Sequence, residues 1–209
     1  LNNGFDIVIG NPPYIGVKEI MKLNWRDNLK ENFGFIDDLY SHFTFLALFV
    51  CKDNGVVSFI TSDTFLTLQS KANMRKKLLN NEIIHIIQTP KAFSAMVNTA
   101  IYIVKKKNKI DNYEFNYSDI RKPNYDKLGF NDEYIKLNGK EVVNWENILA
   151  PLFGGSFKDY IKKIDIDLFR ENLNQTFFSP TKMNLQIRDK LIPGVKNLYD
   201  SYWGLVKTS

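Results

Sequence analysis

The first half of the chain alternates short apolar runs with longer polar or amphipathic segments. The apolar runs lie at Phe5–Gly10, Val56–Thr61, Ile83–Gln88 and Thr99–Val104. Runs this short, apolar almost throughout and rich in β-branched residues, are typical of strands buried in a parallel sheet. The pattern therefore predicts four strands, of which Phe5–Gly10 is expected to be a buried strand with a parallel neighbour.

Between these runs, two segments carry helix signals. The pair Asp37-Asp38 offers N-caps to an apolar segment over residues 39–52, which Asp53-Asn54-Gly55 closes. Ser70 is placed to cap a basic helix that extends to Leu79. Strands that alternate with helices predict an α/β fold with a wound sheet.

Beyond Asn108 this periodicity is lost. Residues 109–209 contain short stretches rich in Asn, Tyr and acidic residues, with Gly154-Gly155 and Pro193-Gly194 as breaks. We therefore predict an α/β region over residues 1–108, followed by a mixed α+β region. Charge follows the same division, because 13 basic and 9 acidic residues lie in the first region, against 15 and 14 in the second. Most of the net charge of +5 thus lies in the α/β region.

The composition of the 209 residues narrows the class of protein. Hydrophobic residues make up 44% and charged residues 24%, which is usual for a globular protein and excludes a disordered or coiled-coil chain. The single cysteine excludes a disulfide framework and a Cys-based zinc site, and it fits a reducing cytoplasm. No apolar run approaches the ~20 residues of a membrane span. We expect a cytoplasmic protein with no membrane segment and no metal, and the start at Leu1 rather than Met predicts a piece of a longer chain.

The residues after the first apolar run, Asn11-Pro12-Pro13-Tyr14, carry a chemistry of their own. Two prolines fix the backbone and remove two N–H donors, which leaves a stiff loop of carbonyl acceptors. The Asn11 amide adds an acceptor oxygen, and Tyr14 adds a flat ring. Such a loop can accept both hydrogens of an exocyclic amino group, such as N6 of adenine, while the ring stacks on the base. It also follows a strand at its carboxyl end, where α/β folds bind ligands.

The run Phe5–Tyr14 resembles the catalytic motif of the N6-adenine DNA methyltransferases, in the form found in type II and type IIG restriction-modification enzymes. The resemblance continues in order through Asp38–Phe43, Gly55–Leu66 and Phe93–Ile101, so that it covers about half of the chain. It implies that the α/β region is the C-terminal half of a Rossmann-like S-adenosylmethionine-dependent methyltransferase sheet.

The resemblance also implies a base-flipping mechanism, in which the target adenine leaves the duplex and enters a pocket. Asn11 and the Pro12 carbonyl would accept hydrogen bonds from N6, which turns the nitrogen lone pair toward the methyl group of S-adenosylmethionine. Tyr14 and Phe93 would hold the base between them. The resemblance thus assigns Asn11, Pro12, Pro13 and Tyr14 to catalysis, Tyr14, Phe93 and Asn98 to the target base, and Asn11, Pro13 and Phe43 to the cofactor.

The sequence before the first strand is too short to hold the cofactor-binding turn of such an enzyme. The family binds its cofactor through a Gly-rich turn upstream of the Asn-Pro-Pro-Tyr strand, and only four residues precede Phe5. We therefore expect residues 1–108 to be the C-terminal part of the catalytic domain, and residues 109–209 to be a linker and the start of a target-recognition or accessory region. The full-length protein would use S-adenosylmethionine and double-stranded DNA, whereas these 209 residues alone would be inactive.

Other functions fit the same motif. The loop could serve methylation of a protein glutamine or of an RNA adenine, although the long stretch over residues 109–209 favours DNA. A non-catalytic DNA-binding module could also keep the shape of the pocket without turnover. The basic residues at Lys71–Lys77 and Lys105–Lys109 are candidates for contacts with phosphate.

Overall fold

The computed structural model describes residues 4–89, 98–107, 111–121, 161–170 and 177, together with the backbone of residues 134–137 and 140–143. Strands and helices alternate in the first half of the chain, as the apolar pattern predicts. The strands within the described ranges are β1 Phe5–Gly10, β2 Cys51–Ser62, β3 Glu82–Thr89, β4 Thr99–Lys105, β5 Glu114–Asp119, β6 Tyr134–Leu137, β7 Lys140–Val143 and β8 Ile161–Asp165.

Helices precede β2 and separate β2 from β3. The described helices are α1 Val17–Lys22, α2 Arg26–Phe33, α3 Leu39–Val50, α4 Ala72–Leu79 and α5 Asp167–Arg170, and two 3-10 turns lie at Asp63–Leu66 and Gln69–Lys71. The four predicted strands and the two predicted helices all form, whereas α1 and α2 were not predicted from the sequence.

Six strands form one mixed sheet, in the order β1-β2-β4-β3-β5-β8. β1 is parallel to β2 and β3 is parallel to β5, whereas β4 is antiparallel to both β2 and β3, and β8 is antiparallel to β5. β6 and β7 pair separately as an antiparallel ribbon. The predicted α/β fold is confirmed. Two strands beyond residue 108 extend its sheet, and the division of the chain at that residue stays a prediction.

One face of this sheet is covered by α3 and α4. Val57 of β2, Ile86 of β3 and Tyr102 of β4 are fully buried there. They belong to one apolar cluster with Leu48 of α3 and Met74 of α4. This layer forms the hydrophobic core of the described residues, and we call this side of the sheet the covered face.

The opposite side of the sheet is exposed at β1. Phe5, Ile7 and Ile9 are 49%, 67% and 79% exposed, whereas Val8 between them packs against the core. Side chains two residues apart lie on the same side of a strand, so the three exposed residues share one face, which we call the open face. The predicted parallel pairing of Phe5–Gly10 is confirmed, but its predicted burial is wrong. The reason is that β1 is an edge strand within the described sheet, with β2 as its one neighbour there.

Two helix boundaries also differ from the prediction. α3 ends at Val50, because the chain turns directly into β2, where Asn54 adopts a left-handed φ of 65°. α4 begins at Ala72, and its N-cap position is Lys71 rather than the predicted Ser70. Ser70 instead lies inside the 3-10 turn that precedes the helix.

Candidate active site

Loops from several strands meet at one edge of the main sheet. Gly10, at the end of β1, lies opposite Phe59, and β2 ends shortly afterwards at Ser62. Ser62 lies opposite Thr99 at the start of the antiparallel β4, and Thr99 also pairs with Thr89 at the end of β3. The residues after β1 therefore share this edge with the residues that follow β2, with the end of β3 and with the start of β4.

Residues 11–14, which we call the Asn11–Tyr14 loop, present polar groups at this edge. Asn11 and Pro13 are exposed, whereas Pro12 is buried. The loop starts from a closely packed position, because a Cβ on Gly10 would lie 3.3 Å from a ring carbon of Phe59. The Asn11 amide is thus accessible to a ligand, while the backbone beneath it is held by packing.

Tyr14 rests on a second tyrosine. Its ring meets Tyr40 of α3 edge-on, with centroids 6.3 Å apart and ring planes at 79°. Burial raises the pKa of Tyr14 to about 12, so the phenol stays neutral at physiological pH. A neutral, half-buried ring that is supported from one side is suited to stack on a planar base.

The start of α3 fixes the exit of the Asn11–Tyr14 loop. The Leu39 N–H donates to the Ile15 carbonyl over 2.8 Å, and the Val17 N–H donates to Asp38 Oδ1 over 3.1 Å. Asp38 occupies the N-cap position of α3, as predicted. Its side chain, however, binds Val17 instead of a backbone N–H of its own helix. The loop is thereby tied to α3 immediately after Tyr14.

Three hydroxyl groups connect α3 to the residues that follow β2. Tyr40 Oη lies 2.9 Å from Thr64 Oγ1, which lies 2.9 Å from Ser62 Oγ. Burial raises the pKa of Tyr40, so its hydroxyl keeps its proton and remains a hydrogen-bonding group. Tyr40 and Thr64 were not predicted as site residues. The available signal for Tyr40 was its place in the first turn of the helix that follows the loop.

A charged cluster at the same edge was also missed. Arg121 donates to Asp119 through Nε and Nη2, over 2.9 and 2.6 Å, and its Nη1 lies 3.9 Å from Asp63 Oδ2. Burial raises the pKa of Asp63, and the charge of Arg121 opposes that shift. The Asp63 N–H donates to the Asn98 carbonyl over 3.1 Å, which places the exposed Asn98 beside the cluster. The expected contact of the Asn98 side chain with the target base stays a prediction.

Of the two phenylalanines assigned to the site from the sequence, the structure describes Phe43 but not Phe93. Phe43 is 37% exposed on α3, in line with the exposed Leu46 and Phe49. Its ring is accessible to a cofactor, but the same row of apolar side chains also suits packing against another element. The cofactor role of Phe43 therefore stays a prediction. Phe93 lies outside the described residues, so its contact with the base also stays a prediction.

Both histidines are held in the interior. His42 Nε2 accepts the Asp37 N–H over 3.1 Å, and burial lowers the pKa of His42. His85 Nε2 lies 2.8 Å from Ser118 Oγ, and burial lowers the pKa of His85 to about 4. Among the residues that the structure describes, no three side chains of the metal-binding types converge on one point. Within the same ranges, no helix is long and apolar enough to cross a membrane.

Known structures define the fold class. The chain matches a chain from a structure of a type I restriction-modification system with a TM-score of 0.56 and 13% identity, over 100% of this chain and 45% of the other. It matches a modification subunit from Vibrio vulnificus YJ016 with a TM-score of 0.52 and 13% identity, over 80% of this chain and 35% of that subunit. At such identity the likeness shows the fold alone, and it agrees with the α/β sheet expected from the sequence.

Sequence similarity narrows the class further. Residues 1–95 match the family described as Eco57I restriction-modification methylase. The chain is 27% identical over 105 residues to the type II methyltransferase M.VspI of Vibrio sp. (strain 343), which corresponds to 49% of this chain and 25% of that protein. It is 28% identical over 130 residues to the type II methyltransferase M.HincII of Haemophilus influenzae, or 57% of this chain and 26% of that protein. The predicted resemblance to restriction-modification methylases is confirmed, and the chain spans about a quarter of the length of these relatives.

Proposed function

We propose that the chain carries the target-base side of the active site of a DNA methyltransferase in a restriction-modification system. The reaction would transfer a methyl group from S-adenosylmethionine to N6 of a flipped-out adenine. The observation that carries this proposal is the Asn11–Tyr14 loop at the end of β1, with Asn11 accessible and Tyr14 supported by Tyr40. The match of residues 1–95 to the methylase family supports the reaction class.

In this proposal, the loop recognises an amino group through its two hydrogens. Asn11 Oδ1 and the Pro12 carbonyl each accept one hydrogen bond from N6, and neither Pro12 nor Pro13 has an N–H that would compete. Holding both hydrogens leaves the nitrogen lone pair directed away from the loop and toward the donor of the methyl group. S-adenosylmethionine supplies that methyl group when it is bound. Orientation of the amino group toward the methyl donor is the main contribution of the loop to this step.

The described residues fit one part of the cofactor. Asn11 and Pro13 are exposed at the carboxyl end of β1, and Phe43 presents an exposed ring on α3. An aromatic ring suits the flat adenine of S-adenosylmethionine. We propose that these three residues contact the cofactor in the full-length protein.

The open face of the sheet supports the presence of further structure in the full-length protein. Ile7 and Ile9 are largely exposed, and Ile60, Ile101 and Ile103 are half-buried on the same face. A contiguous apolar patch of this kind marks an interaction surface, whereas single exposed apolar residues do not. Sheets of α/β folds usually carry helices on both faces. We propose that a further strand and helices cover β1 and the open face, and that they complete the cofactor site.

The proposed domain organisation follows from this. Residues 1–108 would form the C-terminal part of the catalytic domain, and residues 109–209 a linker and the start of a target-recognition or accessory region. Double-stranded DNA would be the partner, in a prokaryotic cytoplasm. The excess of basic residues in the first region supports DNA binding. Within the helix that was predicted to touch phosphates, Lys71 and Arg75 are buried and only Lys76 is well exposed, so that contact would fall mainly to Lys76.

The proposal is tested by methyl transfer with the full-length protein and S-adenosylmethionine labelled in its methyl group. Unmethylated phage DNA, RNA transcribed from it and a glutamine-containing peptide would serve as acceptors. Label recovered as N6-methyladenine from DNA alone supports the proposal. Label in RNA or in glutamine would instead identify one of the alternative methyltransferases. Binding of DNA without transfer to any acceptor would identify a non-catalytic module.

A further inference from the structure

Lys71 is a buried cation near the start of α3. It ends the second 3-10 turn, and its side chain is 3% exposed. Its Nζ donates to Asp37 Oδ1 and lies 2.7 Å from Asp38 Oδ2. Enclosed by two carboxylates, Lys71 cannot reach a DNA phosphate, although the sequence groups it with the basic residues of α4.

Burying a charge is costly unless other charged or polar groups replace the water around it. Asp37 is itself 1% exposed, so Lys71 and Asp37 depend on each other. Asp37 Oδ1 also accepts the backbone N–H of Asp38 over 2.7 Å, which fixes the Asp37 carboxylate at the start of α3. A buried ion pair contributes little to net stability compared with an apolar pair of similar shape, but it fixes a geometry.

Asp38 connects Lys71 to the Asn11–Tyr14 loop. One carboxylate oxygen of Asp38 lies against Lys71, and the other accepts the Val17 N–H just after the loop. With its Oδ2 held by Lys71, the carboxylate keeps Oδ1 aimed at Val17. The neighbouring bond from the Leu39 N–H to the Ile15 carbonyl closes the same junction between the loop and α3.

Lys71 also contacts the support of Tyr14. Its Nζ lies 5.4 Å from the centroid of the Tyr40 ring, over the face of that ring. The Tyr40 ring packs against the Tyr14 ring in a T-shaped arrangement, and the Tyr40 hydroxyl is hydrogen-bonded to Thr64. One buried ammonium therefore contacts both structures that hold the loop, the Asp38 carboxylate at its exit and the Tyr40 ring beneath Tyr14.

We propose that Lys71 is a positioning residue that sets the Asn11–Tyr14 loop through Asp38 and Tyr40, and so places the acceptors of the target amino group. Its role in catalysis rests on the proposed function, but its hold on the loop does not. Lys71 touches neither substrate nor cofactor. Its effect reaches the reaction through the position of Asn11 and Tyr14.

If Lys71 only stabilised the fold, its loss would act through overall stability and not through the loop. A control variant separates this role from the positioning role. Thr44 is also buried on α3, where its Oγ1 bonds the Tyr40 carbonyl and Tyr102 Oη over 2.9 and 2.8 Å. Thr44→Val keeps the shape of the side chain and removes these buried hydrogen bonds. It lowers stability without changing the ion pair at Asp38.

The test uses the full-length protein and four forms of it: wild type, Lys71→Met, Lys71→Arg and Thr44→Val. Amide hydrogen exchange at Val17 and Leu39, thermal unfolding, and kcat and KM for DNA methylation are measured for each.

In Lys71→Met, exchange at Val17 should accelerate about tenfold or more, because the junction opens locally without global unfolding. Its kcat should decrease about 10- to 100-fold while KM for S-adenosylmethionine changes far less, because a small misplacement of reacting groups is costly. Lys71→Arg should recover most of both losses, and Thr44→Val should lower Tm while leaving Val17 exchange and kcat near the wild-type values.

Two results would overturn the positioning role. One is wild-type exchange at Val17 and wild-type kcat in Lys71→Met, and the other is losses in Lys71→Met that Thr44→Val reproduces at the same Tm. If Lys71→Met does not fold, Asp38→Asn takes its place, since the amide keeps an acceptor for Val17 but loses the ion pair. Its loop should show the same faster exchange, and unchanged exchange contradicts the proposal. If the wild type does not methylate DNA, the proposed function fails, and exchange at Val17 alone decides whether Lys71 holds the loop.

Discussion

The covered and open faces of the main sheet carry similar side chains in different surroundings. Beneath α3 and α4, Val57, Ile86 and Tyr102 have no exposed surface. On the open face, Ile7 and Ile9 are 67% and 79% exposed. Both sets are apolar, so the hydrophobic pattern alone does not separate them. The difference supports the proposal that a second layer of structure covers β1 in the full-length protein.

The Asn11–Tyr14 loop begins where these two faces meet, at the end of β1. Its described anchors are Asp38 at the N-cap of α3 and Tyr40 in the first turn of that helix, on the covered side. The base-contacting part of the proposed site is therefore held by the packed side of the molecule. Of the proposed cofactor contacts, Asn11 and Pro13 lie in this loop and Phe43 lies on α3, so the proposed second layer would complete the cofactor site from the open side. Variants on the two sides should accordingly behave differently.

The largest effect is expected from a charge placed on the open face. In the full-length protein, Ile9→Asp should lower the free energy of unfolding by about 3–5 kcal/mol, because the second layer would bury a carboxylate without a partner. Urea denaturation measures this loss. The control is Leu68→Asp, at a residue that is 42% exposed in a loop, with an expected change of about 0.5 kcal/mol or less. An Ile9→Asp loss as small as that of the control would show that the face remains open.

A smaller effect is expected from the ring that rests on the covered side. Tyr14→Ala should lower kcat/KM for DNA methylation about 10- to 100-fold, because stacking on one base is worth about 1–3 kcal/mol. Tyr14→Phe keeps the ring and its contact with Tyr40, so it should retain most of the activity. Methylation of duplex DNA under single-turnover conditions provides the measurement. Equal losses in the two variants would mean that the hydroxyl matters and the stacking role is wrong.

The surroundings of Tyr14 also predict a modest dependence of stability on pH. Its pKa is about 12 in the folded protein against 10.0 for an ordinary tyrosine, so the folded state favours the neutral phenol. The resulting stabilisation is fully present below pH 10 and is lost as the pH rises toward 12. The stability of the wild type relative to Tyr14→Phe should therefore decrease over that interval in urea denaturation. A difference that stays constant from pH 9 to about 12 would contradict the burial of this ring.

The smallest effect is expected at the ion pair between β1 and β2. Lys52 Nζ contacts Asp6 Oδ1 and Oδ2 over 2.9 and 3.0 Å, but the Asp6 side chain is 83% exposed. Solvent screening makes such pairs weak, so Asp6→Asn should change the free energy of unfolding by about 0.5 kcal/mol or less. The same denaturation experiment measures it. A loss well above about 1 kcal/mol in the full-length protein would show that the second layer also buries this edge.

The sequence predicted what depends on neighbouring residues along the chain. The strand at Phe5–Gly10, the loop after it and the helix after Asp38 all follow from local patterns of apolar, proline and capping residues. The burial of β1 did not follow, because burial depends on which strands lie on either side. The same limit explains Lys71, whose partners precede it by more than thirty residues and whose place in a basic run suggested a surface position.

The charged cluster at the sheet edge was missed for a related reason. Asp119 ends β5 and Arg121 follows it, in the stretch beyond residue 108 where the apolar pattern has no clear period. Only the pairing of β5 with β3 brings them to the edge where Asp63 lies. Local spacing holds no information about that pairing, so no motif could have identified the cluster.

The most direct test of the central claim is the rate at which the full-length protein forms N6-methyladenine in duplex DNA, with and without the Asn11 amide. Mass spectrometry of the digested DNA measures the product. Asn11→Ala should lower the rate by about 10²–10³-fold or more, because it removes one of two acceptors that orient the amino group. Asn73→Ala, at an exposed position on α4, should methylate at the wild-type rate. N6-methyladenine formed by Asn11→Ala as fast as by the wild type would contradict the account.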